Sequence, residues 1–196
     1  LGYRVNVGRL GWVDIKSARV VGFLSPNKSI PSAAIDLLFF PISIYFSNTD
    51  CWRLNISNAF NKESLAEYGI THILNISGVP ATYPRNFTYL QVTMRDKEYA
   101  NLLSAIPAAN VFIESSLDAH GKILVHCKGG RSRSAAFISA FIMSTRRLLF
   151  DEAFQMVKSK RPIVNVNKGF EQQLIAYGRS EWDVYGAHQL LSLIHI

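Results

Sequence analysis

The sequence predicts an α/β fold, a sheet with helices packed on its faces, and three observations carry that prediction. Short apolar runs of strand length alternate along the chain with longer stretches of helical period. The segment Lys122 to Met143, KILVHCKGGRSRSAAFISAFIM, passes from a strand through a glycine-containing loop into an apolar helix. The 196 residues, 48% of them apolar, are enough to bury one core with short extensions.

Residues 1–32 read as an N-terminal arm whose structure the sequence leaves open. Val5, Val7, Val13 and Ile15, then Val20 to Leu24, suit one or two strands or an extended arm wrapping the domain. A single domain is expected over 33–180. Ala34 to Phe46 is strand material interrupted at Pro41, which ends a strand or confines it to an edge. Ser47 to Asn61 is polar and turn-rich. Lys62 to Tyr68 is a short helix with Asn61 as N-cap and Gly69 just past its end.

Ile70 to Ile76 is a strand closed by Ser77, Gly78 and Pro80, and Phe87 to Met94 another, with Leu90, Val92 and Met94 alternating. A charged loop, Arg95 to Tyr99, leads to a helix over Ser104 to Ala119, with Ser104 as N-cap and Pro107 in its first turn. Ile106, Ala109, Ile113 and Leu117 share one face of it, Phe112 lies beside them, and Gly121 stops it. Beyond Met143, Arg146-Arg147 mark a turn. Asp151 to Lys158 is an amphipathic helix with Ala153, Phe154 and Val157 inward. Pro162 breaks the chain, and Asn167 to Tyr177 forms a last helix with Phe170, Leu174 and Ile175 inward. The tail, 181–196, has no readable pattern. Leu191 to Ile196 look like a translated sequencing-adaptor scar and are left out of fold reasoning.

Composition narrows the function. No apolar run reaches membrane-spanning length; the nearest, Ala33 to Phe46, is too short and holds Asp36 and Pro41. The first residues lack the charged stretch and cleavage site of a secretory leader. Cys51 and Cys127 make no disulfide framework for this length, so a reducing, intracellular setting, cytoplasmic or nuclear, is expected. Cys51 reads as structural, with a redox partner for Cys127 as the alternative.

The net charge of +7 is concentrated. Between Gly121 and Lys168 stand ten Lys or Arg against two acids, Asp151 and Glu152, whereas the remainder has eleven basic and twelve acidic residues. Such a rim steers anionic, phosphorylated substrates. Nucleic-acid binding is the rival explanation for such a patch, but no stacking aromatics interleave with the basic residues and no binding motif is present. His72, His120, His126, His188 and His195 show no metal-ligand spacing, and neither a metal nor another cofactor is called for.

The chemistry lies in the loop Cys127 to Ser134. Strand, glycine loop and helix N-terminus together bind an oxyanion: loop amides point inward and the helix adds partial positive charge. Gly129 and Gly130 allow the backbone to curl closely around a ligand. Arg133 can clamp two phosphoryl oxygens bidentately. Cys127, ringed by amides, Arg133 and the helix terminus, is expected as a thiolate nucleophile. A merely structural cysteine would leave His126, the glycines, Arg133 and Ser134 in register unexplained.

A cysteine and, six positions on, an arginine, preceded by His126 and followed by Ser134, resembles the protein tyrosine phosphatase superfamily, and the surroundings resemble its dual-specificity branch. GITHILNISG and RPIVNVNKGFEQQL are similar to segments of that branch in the same order, and the likeness covers about Ala34 to Tyr177. It implies a central mixed, mostly parallel sheet flanked by helices on both faces in three layers. It also implies a cysteine-dependent phosphomonoesterase working through a phosphocysteine, with phosphate held by Lys128, Gly129, Gly130, Arg131, Ser132 and Arg133. Ser134 would support the departing thiolate, His126 would orient the loop, and Asp96 matches the family's general acid. Glu98, two residues on, stays open from sequence alone.

Lys128 and Arg131 stand at the pocket rim or in it. They keep a phosphoinositide or other phospholipid phosphatase as an alternative to a protein phosphatase whose substrate is a phosphorylated protein, a protein kinase among the candidates. A phosphoprotein-binding pseudophosphatase is a third reading, against which Cys127, Arg133 and Asp96 all argue. A sulfurtransferase or arsenate reductase fits poorly with His126 and the preceding acidic loop. Arg9, Lys16 and Arg19 bear a faint likeness to the docking arms of kinase phosphatases, although a solvated arm explains them as well.

Overall fold

The structure is a computed structural model; it describes residues 3–6, 12–15, 61–119 and 121–194. Expectations for Ala34 to Phe46, Ser47 to Phe60, Val20 to Leu24, Cys51 and His120 fall outside those residues.

Five strands form one mixed sheet. They are β1 (Tyr3–Asn6), β2 (Trp12–Ile15), β3 (Ile70–Asn75), β4 (Thr88–Gln91) and β5 (Lys122–His126), in the order β2-β1-β4-β3-β5. β4, β3 and β5 are parallel, with Leu74 opposite both Leu90 and Val125. β1 joins β4 antiparallel and β2 joins β1 antiparallel, so two pieces of the expected arm extend the sheet.

The helices are α1 (Lys62–Glu67), α2 (Ile106–Asp118), α3 (Arg133–Arg146), α4 (Phe150–Lys160), α5 (Lys168–Arg179) and α6 (Val184–Ile194). Strand alternation divides the core between two faces. Leu74, Leu90, Ile123 and Val125 face the layer made by α2 to α6, and Ile73, Tyr89 and Leu124 face Leu65 of α1. The three layers are therefore unequal. α3 is the hub: every residue from Arg133 to Ser144 is buried, which is why apolar side chains occur all around Ala135 to Met143, with Ser139 the exception.

Three boundaries differ from the sequence reading. β4 is shorter than Phe87 to Met94, because the chain turns off toward the acidic loop after Gln91. Ser104 is not an N-cap: it lies inside a 3₁₀ turn, Leu103–Ala105, and its backbone N–H donates to Asn101 Oδ1 at 3.0 Å. Asn101 thus performs the capping, and α2 starts at Ile106 with Pro107 in its first turn. The tail also departs from expectation, since Val184–Ile194 is a helix. Trp182 donates from Nε1 to Leu148 O at 3.1 Å beneath the guanidinium of Arg147, Ala187 is fully buried, and Leu190 and Leu191 pack on the core. Leu191, the first of the six residues that resemble a sequencing scar, is thus part of the fold, and the helical period of Ala187, Leu190 and Leu191 explains its contact.

Because β3, β4 and β5 are parallel, the loops after their C-terminal ends open at one sheet edge. Those loops carry Ser77, Asp96 and Cys127.

Candidate active site

β5 ends at His126 and α3 begins at Arg133, leaving six residues to make the loop between a strand end and a helix N-terminus. Gly130 has φ +61°, the left-handed region where a β-carbon is costly, and this turn aims its N–H at Cys127 Sγ, 3.3 Å away. Gly129 has no such requirement: its φ is not positive and a β-carbon there would meet open space. Of the two glycines, only Gly130 is demanded by the backbone.

The segment after α4 clasps this loop from outside. Arg161, nearly buried, donates from Nε to Gly130 O at 3.0 Å, and Asn165 N donates to Arg131 O at 2.9 Å. Lys128 and Arg131 are exposed at the rim.

Cys127 is buried, and Sγ lies 3.4 Å from Ser134 Oγ. Burial alone pushes the thiol up. The Ser134 hydroxyl and amide, the Gly130 amide and the Arg133 charge outweigh it, and the thiol is held below its ordinary value. The helix terminus favours the same anion.

Arg133 is a structural tie and a charged surface at once. Nη1 donates to Ile76 O at 2.8 Å and to Met94 O at 3.1 Å, the carbonyls just beyond β3 and β4. Nε is buried, makes no hydrogen bond among the described residues, and stands 3.9 Å from Asp96 Oδ2. The guanidinium is fixed on one side and free to bind on the other.

Asp96 follows β4 and sits at the mouth, its side chain 39% exposed. Its Oδ1 accepts from Ser132 Oγ at 2.6 Å and from Asn167 Nδ2 at 2.7 Å. Glu98 is exposed as well, and what it brings to the packing is its backbone, set against Gly169 of α5. Of the two carboxylates, Asp96 is the one hydrogen-bonded to the loop that carries Cys127, through Ser132. Ser132, whose backbone stands at the N-cap of α3, spends its hydroxyl on Asp96 rather than on the helix.

His126 has its pKa lowered to about 4 by burial, against a hydrogen bond to the Cys127 backbone that raises it, so the ring is neutral at physiological pH. Among the described residues no group of three or more His, Cys, Asp or Glu could hold a metal ion, and no helix is long and apolar enough to cross a membrane.

The reading from sequence missed Asn167, Gln173 and Arg161. Gln173 was detectable: with Phe170, Leu174 and Tyr177 it occupies the inward stripe of α5, where a polar side chain needs a partner. Its Oε1 accepts from Leu102 N at 2.7 Å and its Nε2 donates to Ala100 O at 2.9 Å, holding the end of the acidic loop.

Residues 54–180 match the family model "Dual specificity phosphatase, catalytic domain". The chain belongs to this family. Mouse dual specificity protein phosphatase 19 is 38% identical over 120 residues, which cover 61% of this chain and 54% of the mouse protein. Among solved structures, human DUSP28 superposes with a TM-score of 0.60 at 36% identity, covering 64% of this chain and 89% of that one. DUSP15 superposes with a TM-score of 0.63 at 29% identity, covering 70% and 88%. The chain spans 54% of the mouse protein, 61% of dual specificity protein phosphatase 1 of Arabidopsis thaliana and 5% of a probable serine/threonine-protein kinase of Dictyostelium discoideum.

Proposed function

We propose that this dual-specificity domain hydrolyses phosphotyrosine and phosphoserine or phosphothreonine in proteins through a phosphocysteine. One observation carries the reading: a buried thiol of lowered pKa, 3.3 Å from a loop amide, beside a buried guanidinium with an unengaged N–H.

Cys127 Sγ attacks phosphorus in line, and the bond to the leaving oxygen breaks as Asp96 gives that oxygen a proton. The loop amides from Lys128 to Arg133 and the Arg133 guanidinium hold the equatorial oxygens as charge spreads over them. Asp96, now a carboxylate, takes a proton from water as the water attacks phosphorus. The P–S bond breaks, and Ser134 donates to the thiolate that departs. His126, neutral and half-buried, orients the loop. No cofactor enters either step. A thiol that must stay free suits a reducing intracellular compartment.

Relatives named as protein phosphatases support a protein substrate, and no observation favours a phospholipid substrate or a binding-only role. The test is turnover of a phosphopeptide panel against inositol-lipid vesicles. Hydrolysis of phosphotyrosine and phosphothreonine peptides, abolished in Cys127→Ser, is expected. Turnover confined to vesicles would overturn the substrate class, and phosphopeptide binding without turnover would overturn the enzyme.

A further inference from the structure

We infer that Asn167 is a positioning residue that fixes which oxygen of Asp96 carries the transferable proton. The inference rests on the reading of Asp96 as general acid and deepens it. A protonated carboxyl has one oxygen that donates and one that accepts. Two donors converge on Asp96 Oδ1, the Ser132 hydroxyl at 2.6 Å and the Asn167 amide at 2.7 Å. Oδ1 is therefore the accepting oxygen, and the proton resides on Oδ2. Oδ2 is also the oxygen 3.9 Å from Arg133 Nε, the unengaged N–H that would receive the phosphoryl group.

The direction of each donor is determined by the rest of the network. Asn167 Oδ1 accepts from Phe170 N at 2.9 Å, capping α5, so its Nδ2 must be the end that reaches Asp96. Asn167 N donates to Ser132 Oγ at 3.3 Å, which leaves the Ser132 proton for Asp96. Three segments far apart in the chain thus fix one carboxyl. Helix α5 holds the rest of that loop as well: Gly169 abuts the Glu98 carbonyl, and Gln173 binds Ala100 and Leu102. In the first step Oδ2–H protonates the leaving oxygen. In the second, Oδ2 takes the proton from attacking water, while Oδ1 keeps its two donors throughout.

Asn167→Ser separates this role from capping, because serine is as good an N-cap but is too short to reach Asp96. Rates would be measured on a phosphoserine peptide and on p-nitrophenyl phosphate for wild type, Asn167→Ser, Asp96→Asn and the double variant. Since general acid catalysis contributes about 10²–10⁴-fold, Asn167→Ser is expected to lower kcat on the peptide by about tenfold, with KM little changed. The aryl ester, whose leaving group needs less protonation, should slow far less. In the Asp96→Asn background the substitution should change nothing further. Equal slowing on both esters, or effects that multiply in the double variant, would overturn the inference and leave the activity standing. Should Asn167→Ser fail to fold, as judged by thermal melting, Ser132→Ala in the same cycle removes the other donor and carries the same two outcomes. Wild type inactive on both esters would overturn the activity itself. Wild-type turnover that Asp96→Asn slows equally on both esters would overturn the acid assignment and this inference with it.

Discussion

The hydroxyl oxygen of Ser134 stands 3.4 Å from the sulfur of Cys127, both residues buried where β5 hands over to α3. Its proton has a thiolate to serve. Ser134→Ala should therefore raise the Cys127 pKa and slow breakdown of the phosphocysteine more than its formation. With p-nitrophenyl phosphate, the variant should give a burst of phenolate followed by a slow steady state. Iodoacetamide alkylation in wild type should reach half its limiting rate below the pH of an ordinary thiol, and at higher pH in the variant.

His126 makes stability depend on pH. Its folded pKa of about 4 lies below the unfolded 6.5, so between those values the unfolded chain binds more protons. Stability is fully present above 6.5 and is lost as pH falls toward 4, by about 2 kcal/mol between pH 7 and pH 5. Urea midpoints measured across that range should fall accordingly in wild type, and the part due to this residue should vanish in His126→Gln.

Arg133→Lys retains charge but abandons geometry. Lysine cannot bond the Ile76 and Met94 carbonyls while presenting a planar pair of donors to phosphate. A fall in kcat/KM of about 10²–10³-fold is expected, comparable to losing an oxyanion donor. A loss of about 1–3 kcal/mol in unfolding free energy should accompany it, since buried carbonyls are left unpaired.

Two glycines should respond to alanine for different reasons. At Gly130 the left-handed backbone costs about 1–2 kcal/mol, and the new methyl would stand 3.3 Å from Arg161 Nη2. At Gly169 the methyl would collide with the Glu98 carbonyl and push the acidic loop off α5. Gly130→Ala should therefore slow all substrates, whereas Gly169→Ala should slow alkyl phosphates more than aryl ones. Gly129→Ala, which strains nothing, should melt close to wild type.

What could be read from sequence follows from where the information lies. Cys127, Gly130, Arg133 and Ser134 are local to one strand, loop and helix, so their spacing already implied an anion site. The inward faces of α2, α4 and α5 were likewise visible in their periods. Asn167 was not, because its role comes from meeting Asp96 and Ser132, 71 and 35 positions away, and a helix cap accounts for an asparagine there without any site. That Asp96 rather than Glu98 bonds to Ser132 and Asn167 also needed the fold, since those partners lie 36 and 71 positions away. Ser104 was misread because two capping residues three positions apart, Asn101 and Ser104, compete, and the 3₁₀ turn decides between them. Helix α6 escaped because Trp182 and Ala187 anchor it by contacts with distant segments.

The central claim is a covalent bond between phosphorus and one sulfur. Ser134→Ala, mixed with p-nitrophenyl phosphate, whose leaving group needs little protonation, and quenched within milliseconds, should accumulate the phosphoryl group on Cys127, located by mass spectrometry of the digested protein. A phosphoryl group on any other residue, or steady turnover with Cys127 never modified, would contradict the account.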